Sequence, residues 1–111
     1  GVFAVVDIPE GTLIEECPVI VVPIEEVEVL NGTVLRDYHF MWGGTGEASA
    51  VCLGLGSLYN HDHTPNAMYV RRLDARIIAF HALRLIHAGE EITVSYNGGW
   101  GDRTPVWFEK P

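Results

Sequence analysis

Positive charge, cysteine and long apolar runs are all scarce in this chain. Lys plus Arg number 7 against 15 Asp plus Glu, a formal charge of -8. That balance opposes binding to phosphate backbones and favours cationic partners, although acidic composition also serves solubility alone. A basic, lysine-bearing protein or peptide fits as a partner; nucleic acid does not. Only Cys17 and Cys52 are present. Neither belongs to a C-x-x-C pair or a disulfide framework, so the fold rests on packing and the default compartment is reducing. The longest apolar stretch, residues 18–24, is far shorter than the roughly 20 residues that cross a bilayer, and no basic and apolar leader opens the chain. The expected setting is intracellular, cytoplasmic or nuclear, without a membrane partner. The P-loop, the dinucleotide fingerprint and the G-x-S-x-G elbow are missing too, and neither Ser57 nor Ser95 has elbow context.

What is there is a chain of 111 residues, 48% hydrophobic, enough for one domain over residues 1–111 to close a single core. The chain opens on Gly1 rather than Met, and residues before Gly1 are expected to be missing. Its apolar segments are short, rich in Val and Ile, and punctuated by Gly, Pro, Asn or Asp, which predicts many short strands. Strands are expected at residues 2–6, 13–17, 19–22, 34–42, 48–53, 67–72, 76–82 and 92–96. Pro23 followed by Glu25 and Glu26 permits a short helix or a loop up to Asn31 and Gly32. Leu73, Asp74 and Ala75 suggest a hairpin, Ala88 and Gly89 a second turn. Thr104 and Pro105 could open a short C-terminal helix.

One segment is unlike an ordinary turn. Between Gly56 and Asn66 the chain packs two Asn, two His, a Tyr and a Pro amid apolar strands. Such a stretch offers amide groups and unclaimed backbone N–H and C=O that can read the edge of a purine, or it caps its own backbone as an Asx-rich loop. His61 and His63 form an H-x-H pair, a weak metal signal because no third ligand has a telling spacing; no metal is expected. The other segment is Gly89-Glu90-Glu91-Ile92-Thr93-Val94-Ser95-Tyr96, a turn feeding a strand that delivers a Tyr into a glycine-rich run.

In order and spacing, Gly1-Val2-Phe3-Ala4, then Ile8-Pro9-Glu10-Gly11-Thr12-Leu13-Ile14, then Asn60-His61 with Pro65-Asn66, and finally Gly89-Glu90-Glu91-Ile92-Thr93 with Tyr96 closely resemble the successive motifs of SET-domain protein-lysine methyltransferases. The match spans nearly the whole chain, and the last two motifs are specific as a pair. The resemblance implies a mostly β, β-clip-like SET fold of small curved sheets, with a knot-like crossing of the two motif segments and a short C-terminal helix. It implies S-adenosylmethionine as methyl donor, with S-adenosylhomocysteine as product. Gly1, Val2 and Phe3 would lie against the methionine part of the donor with Asn60. The His61 backbone would read the adenine, and Tyr38 would be a further neighbour. Tyr96 matches the catalytic tyrosine and also borders the donor. Tyr69 matches a position beside the substrate amine, both catalytic in setting and part of the lysine channel.

The reaction so implied is an in-line displacement whose main demand is alignment. A free Lys has a pKa near 10.4, so its amine must lose a proton first, which an apolar aromatic channel and a neighbouring cation both assist. Tyr96 would orient the neutral amine rather than act as a strong base. Two departures stand out: Asp62-His63 follows Asn60-His61 where many members carry Ser-Cys, and the cysteine-rich zinc segment after the Tyr motif is missing. Closure of the channel would then fall to Trp100, Trp107 or Phe108. Val94 stands where some members carry an aromatic that influences how many methyl groups are added. The rival readings are a catalytically silent SET-fold interaction module and, last, a small metal-binding β protein.

Overall fold

Short β-branched segments cannot bury themselves alone, and here they pair into two sheets. The computed structural model describes residues 1–43 and 48–95. Eight strands are present there: β1 Val2–Phe3, β2 Leu13–Val22, β3 His39–Trp42, β4 Ala48–Cys52, β5 Asn60–His61, β6 Ala67–Arg72, β7 Ile77–Ala82 and β8 Glu91–Val94. The larger sheet runs β3-β4-β2-β7-β6 and is antiparallel, while the smaller one runs β1-β8-β5. Phe80, Ile78, Ile86 and Val94 are the large apolar side chains withdrawn fully from water. Each such burial stabilises by about 1.5–3 kcal/mol against an exposed reference. The mostly β architecture of small sheets agrees with the sequence expectation.

The two strands expected at residues 13–17 and 19–22 are one strand, β2, running straight through Pro18. A proline lacks the N–H that a central strand needs. The register explains why it is tolerated: residues up to Pro18 pair with β7, and pairing with β4 begins at Val19. Pro18 thus sits at the change of partner. Its carbonyl accepts from Leu53 N at 2.9 Å, and Val19 N donates to Arg76 O at 3.2 Å. An extra residue between Leu13 and Glu15 adds a bulge to the same strand, and bulges increase local twist.

Other boundaries also moved. β1 stops at Phe3 rather than Val6. The long strand expected at residues 34–42 is broken, because Val34–Asp37 forms a 3-10 turn whose Thr33 side chain accepts from Leu35 N at 3.2 Å. All four residues of that turn are exposed, so nothing rewards an extended conformation there. The open choice after Pro23 resolves as a helix, α1 Ile24–Asn31, and β6 and β7 form the expected hairpin. The helix expected at residues 104–109 lies outside the described residues.

Behind the Asn-His segment the chain turns tightly through a 3-10 turn, Gly56–Leu58. Gly56 is buried against both cysteines: a Cβ there would lie 2.7 Å from Cys52 Cβ and 2.9 Å from Cys17 Sγ. No side chain fits without displacing packed neighbours. Burial pushes the Cys17 thiol up to about 11, with the nearby Glu15 carboxylate adding to it. Burial raises Cys52 as well. Both thiols stay protonated at neutral pH, and thiols are poor nucleophiles.

Candidate functional site

The Asn-His motif and the Glu-rich motif are about thirty residues apart in sequence and adjacent in space. β5 lies parallel beside β8, with Asn60 opposite Thr93 and His61 opposite Val94. The sequence had suggested a loop for residues 56–66 because of Pro65 and the polar residues. Most of it is irregular, yet two residues pair as a strand because β8 presents an open edge to them. Parallel partners need a crossover between them, and here the β6–β7 hairpin lies between β5 and β8 in the chain. This pairing is the part of the expected crossing that the described residues contain.

Asn66 locks the arrangement. It is 2% exposed. Its Oδ1 accepts from Thr93 N at 2.8 Å, and its Nδ2 donates to Glu91 O at 2.8 Å. The side chain therefore acts as a piece of strand alongside β8. Its own carbonyl accepts from Leu83 N at 2.8 Å, and Asp62 N donates to Val94 O at 3.0 Å. Asp62 behaves as the self-capping reading supposed: its Oδ1 accepts from Thr64 N at 2.9 Å and from Thr64 Oγ1 at 3.1 Å. These bonds hold its carboxyl below the usual range, the backbone N–H of Thr64 first among the causes.

Upstream, the turn that delivers Asn60 is tied from β2. Glu15 Oε1 accepts from the Tyr59 hydroxyl at 2.8 Å, and Oε2 accepts from Leu55 N at 3.1 Å. One carboxylate thereby holds both ends of the bend before Asn60. Burial, and then Glu15, push the Tyr59 phenol well above its ordinary range. It remains a hydrogen-bond donor, as this geometry requires. The Tyr59 ring lies 4.6 Å from that of Phe80.

The predicted site residues fall into three groups. Gly1, Asn60 and the start of β8 converge: β1 pairs Val2 with Ile92 and Phe3 with Glu91, and Asn60 Nδ2 donates to Glu91 Oε2 at 2.7 Å. A Cβ on Gly1 would collide with the Glu91 carboxylate and come within 2.9 Å of Asn60 Nδ2. Phe3 is exposed. Tyr38 is also exposed, at the end of its 3-10 turn, and its carbonyl accepts from Ser57 Oγ at 2.9 Å.

The second group is interior. Tyr69 is 6% exposed and packs edge-on against Phe40, with ring centroids 5.0 Å apart, and against Phe80 at 5.7 Å. Aromatic pairs of this kind contribute about 0.5–1.5 kcal/mol beyond area burial. Val94 is buried at the end of β8. The third group, Tyr96, Trp100 and Trp107 together with Phe108, lies outside the described residues. His61 and His63 meet edge to face at 4.8 Å between centroids. No group of three ligating side chains forms among the described residues.

Four residues were not assigned a site role from sequence. Asn66 stood in a quoted motif but showed no sign of bridging to β8. Glu91 likewise stood in a quoted motif without a role of its own, and Glu15 and Tyr59 carried no spacing signal, since each acts through a contact with a distant segment.

Glu90 supplies a pH-dependent clamp on the same turn. Its carboxylate accepts from Arg84 Nη2 at 2.8 Å and from His87 N at 2.9 Å. The Arg84 bond, followed by the His87 N–H, lowers it from 4.5 to about 2. A depressed carboxylate stabilises the fold above its unfolded value, and that contribution disappears as pH falls through the folded value. Denaturant midpoints of the wild type are therefore expected to decline more steeply between pH 4.5 and about 2 than those of Glu90→Gln. Parallel curves for the two proteins would remove Glu90 from the explanation.

Comparison with known proteins follows the same lines. The family model described as "SET domain" matches residues 1–97. A protein of fission yeast, Schizosaccharomyces pombe, named histone-lysine N-methyltransferase, H3 lysine-37 specific, is 39% identical over 110 residues, covering 98% of this chain and 69% of that protein. Among solved structures, a Plasmodium falciparum protein provisionally named a histone methyltransferase superposes with a TM-score of 0.64 at 27% identity, over 85% of this chain and 80% of that one. The Chaetomium thermophilum Polycomb Repressive Complex 2, bound to S-adenosylmethionine, matches with a TM-score of 0.71 at 24% identity. That match covers 97% of this chain and 15% of the other, and bears on fold alone.

Proposed function

The chain belongs to the SET-domain family and is a protein-lysine methyltransferase; from that premise we propose how its residues divide the work, with residues 1–111 acting as one catalytic domain. The single observation that carries the reading is the parallel pairing of β5 with β8. It sets the exposed Asn60 and the half-buried His61 beside the strand that leads into Tyr96. Only Ser95 stands between Val94 and Tyr96 in the chain, a span of at most about 7 Å.

The residues fit the donor. Asn60 offers an amide, Glu91 offers a carboxylate, and the missing side chain of Gly1 lets the β1 backbone approach both closely. An amino-acid zwitterion needs that combination of donor and acceptor. S-adenosylmethionine, when bound, supplies an electrophilic methyl group on a positively charged sulfur. Everything else is asked of the protein. Gly1, Val2, Phe3 and Asn60 hold the amino-acid end, the His61 backbone receives the adenine, and Tyr38 flanks it.

Tyr69 and Val94 line the path of the substrate side chain. Their apolar, buried setting disfavours an ammonium and so favours release of the lysine proton to solvent before attack. Tyr96 orients the neutral amine through its hydroxyl. Trp100 and Trp107 close the channel. The tasks are positioning and water exclusion, which suit a site that relies on alignment.

The substrate is a protein. A net charge of -8 favours a basic segment of it, as in a histone tail, and the name of the fission yeast relative supports the same class. Such a substrate would bring the enzyme to chromatin. The test is direct: incubation with methyl-labelled donor and histone octamers, a basic non-histone protein and a neutral protein, followed by peptide mass spectrometry. Label on lysine, strongest on basic substrates, is expected. Binding of donor by calorimetry without lysine label on any substrate would instead mark a silent interaction module.

A further inference from the structure

We propose that the outward face of the five-stranded sheet is a self-association surface, through which two copies of this chain pair about a two-fold axis. In an antiparallel sheet with one face on the core, the other face is ordinarily polar. The strand registers show that this one is not. Cys17, Ile78, Phe80 and Tyr69 point inward and are buried. The alternate positions point outward: Ile20 stands opposite Val51, Pro18 opposite Ile77, and Val70 opposite Ala79. Leu53, whose N–H donates to Pro18 O, continues the row. Helix α1 covers only the β3–β4 side of this face: it lies against β4, its Asn31 Oδ1 accepts from His39 Nε2 at 3.0 Å, and Ser49 is left 3% exposed. Beyond the helix, Ile20 is 55% exposed and Leu53 47%, with Pro18 exposed between β4 and β7.

Charge and area argue for a second copy as the occupant, against a basic partner. The chain carries a net charge of -8, yet among the described residues the acids and bases at outward positions of this sheet are Glu16 and Arg72 alone, and they pair with each other at 3.3 Å. A basic peptide finds no unpaired acid there. Two-fold association uses one surface twice, so each residue meets its counterpart's neighbour reciprocally. A Glu beside an Arg complements its own two-fold image, with Arg72 of each copy facing Glu16 of the other at the border of the apolar strip. The exposed parts of the strip and of this ion pair amount to several hundred Å², beyond the scattered apolar exposure that needs no explanation and of the order of the about 800 Å² per partner in a standard interface.

Sedimentation velocity over a concentration series from about 1 to 200 μM tests this. The wild type is expected to pass from monomer to dimer within that range, the weak end for interfaces of this size. Ile20→Lys and Leu53→Lys, at exposed positions, should each weaken the dimer by about tenfold or more, since each sets an unpaired charge in the strip. Glu16→Arg and Arg72→Glu should each stay monomeric alone, because like charges then face each other across the axis. Their equimolar mixture should dimerise, the doubly basic face of one variant on the doubly acidic face of the other. A wild type that is monomeric throughout overturns the proposal and leaves the face to an uncharged apolar partner. A dimer that Ile20→Lys leaves as tight as wild type, or a mixture that stays monomeric, overturns it as well. Should the variants fail to fold, hydroxyl-radical footprinting of the wild type decides: oxidation of Ile20 and Leu53 is expected to fall by about threefold or more as the dimer forms, and unchanged oxidation overturns the assignment to this face.

Discussion

Asn66→Ala is expected to lower stability by about 2–5 kcal/mol, because it strands one buried and one partly buried backbone group at once, each costing about 1–3 kcal/mol with the partly buried one toward the lower end. The groups are Thr93 N–H and Glu91 C=O, both now satisfied by the Asn66 amide at 2.8 Å. For a domain of this size the whole stability is on the order of 5–15 kcal/mol, so the loss is a large fraction of it. Urea unfolding with an unchanged m-value measures the effect. Asn66→Asp separates the two bonds: it keeps an acceptor for Thr93 N–H but sets a second acceptor against Glu91 O. It should therefore recover little. A shift below about 1 kcal/mol for Asn66→Ala would show that water or a neighbour replaces the amide, and that Asn66 is not what holds the two motifs in register.

The largest expected effect on activity belongs to Tyr96. Tyr96→Phe removes one oxygen and keeps the ring, so the bulk of the side chain is preserved while the group proposed to orient the amine is lost. Loss of alignment on this scale costs about 100-fold in rate. In single-turnover transfer of a labelled methyl group, Tyr96→Phe is expected to fall by about that factor or more, with the affinity for S-adenosylhomocysteine changed by less than about threefold. A fall in affinity as large as the fall in rate would mean that the hydroxyl serves donor binding. A rate within a few-fold of wild type would remove Tyr96 from the chemistry.

Much of the architecture was legible because strands carry their signal locally. The hairpin of β6 and β7 follows from two Val- and Ile-containing runs around Leu73, Asp74 and Ala75, and the observed β6 has the expected bounds. Pro18 misled because a proline's cost depends on which neighbour the strand is facing at that residue. Residues 34–37 misled because their apolar side chains face solvent, and β-propensity counts only where packing rewards it. Among the candidate site residues, Asn60 and His61 were singled out by their motif. Glu15, holding Tyr59 and Leu55 from 40 or more residues away, could not be, since nothing in its local sequence distinguishes it from a solvated acid.

What the sequence determined by itself, then, is composition and local pattern: an acidic chain of short strands bearing two polar motifs whose order and spacing resemble those of the SET-domain family. What only the tertiary structure decided is which groups satisfy one another: Asn60 with Glu91, Asn66 with the β8 backbone, Glu15 with the bend before the Asn-His pair. The reason is physical. A hydrogen bond a few ångströms long depends on the placement of both partners, and for partners 25 or more residues apart that placement is set by strand pairing and register, which no local run of residues encodes.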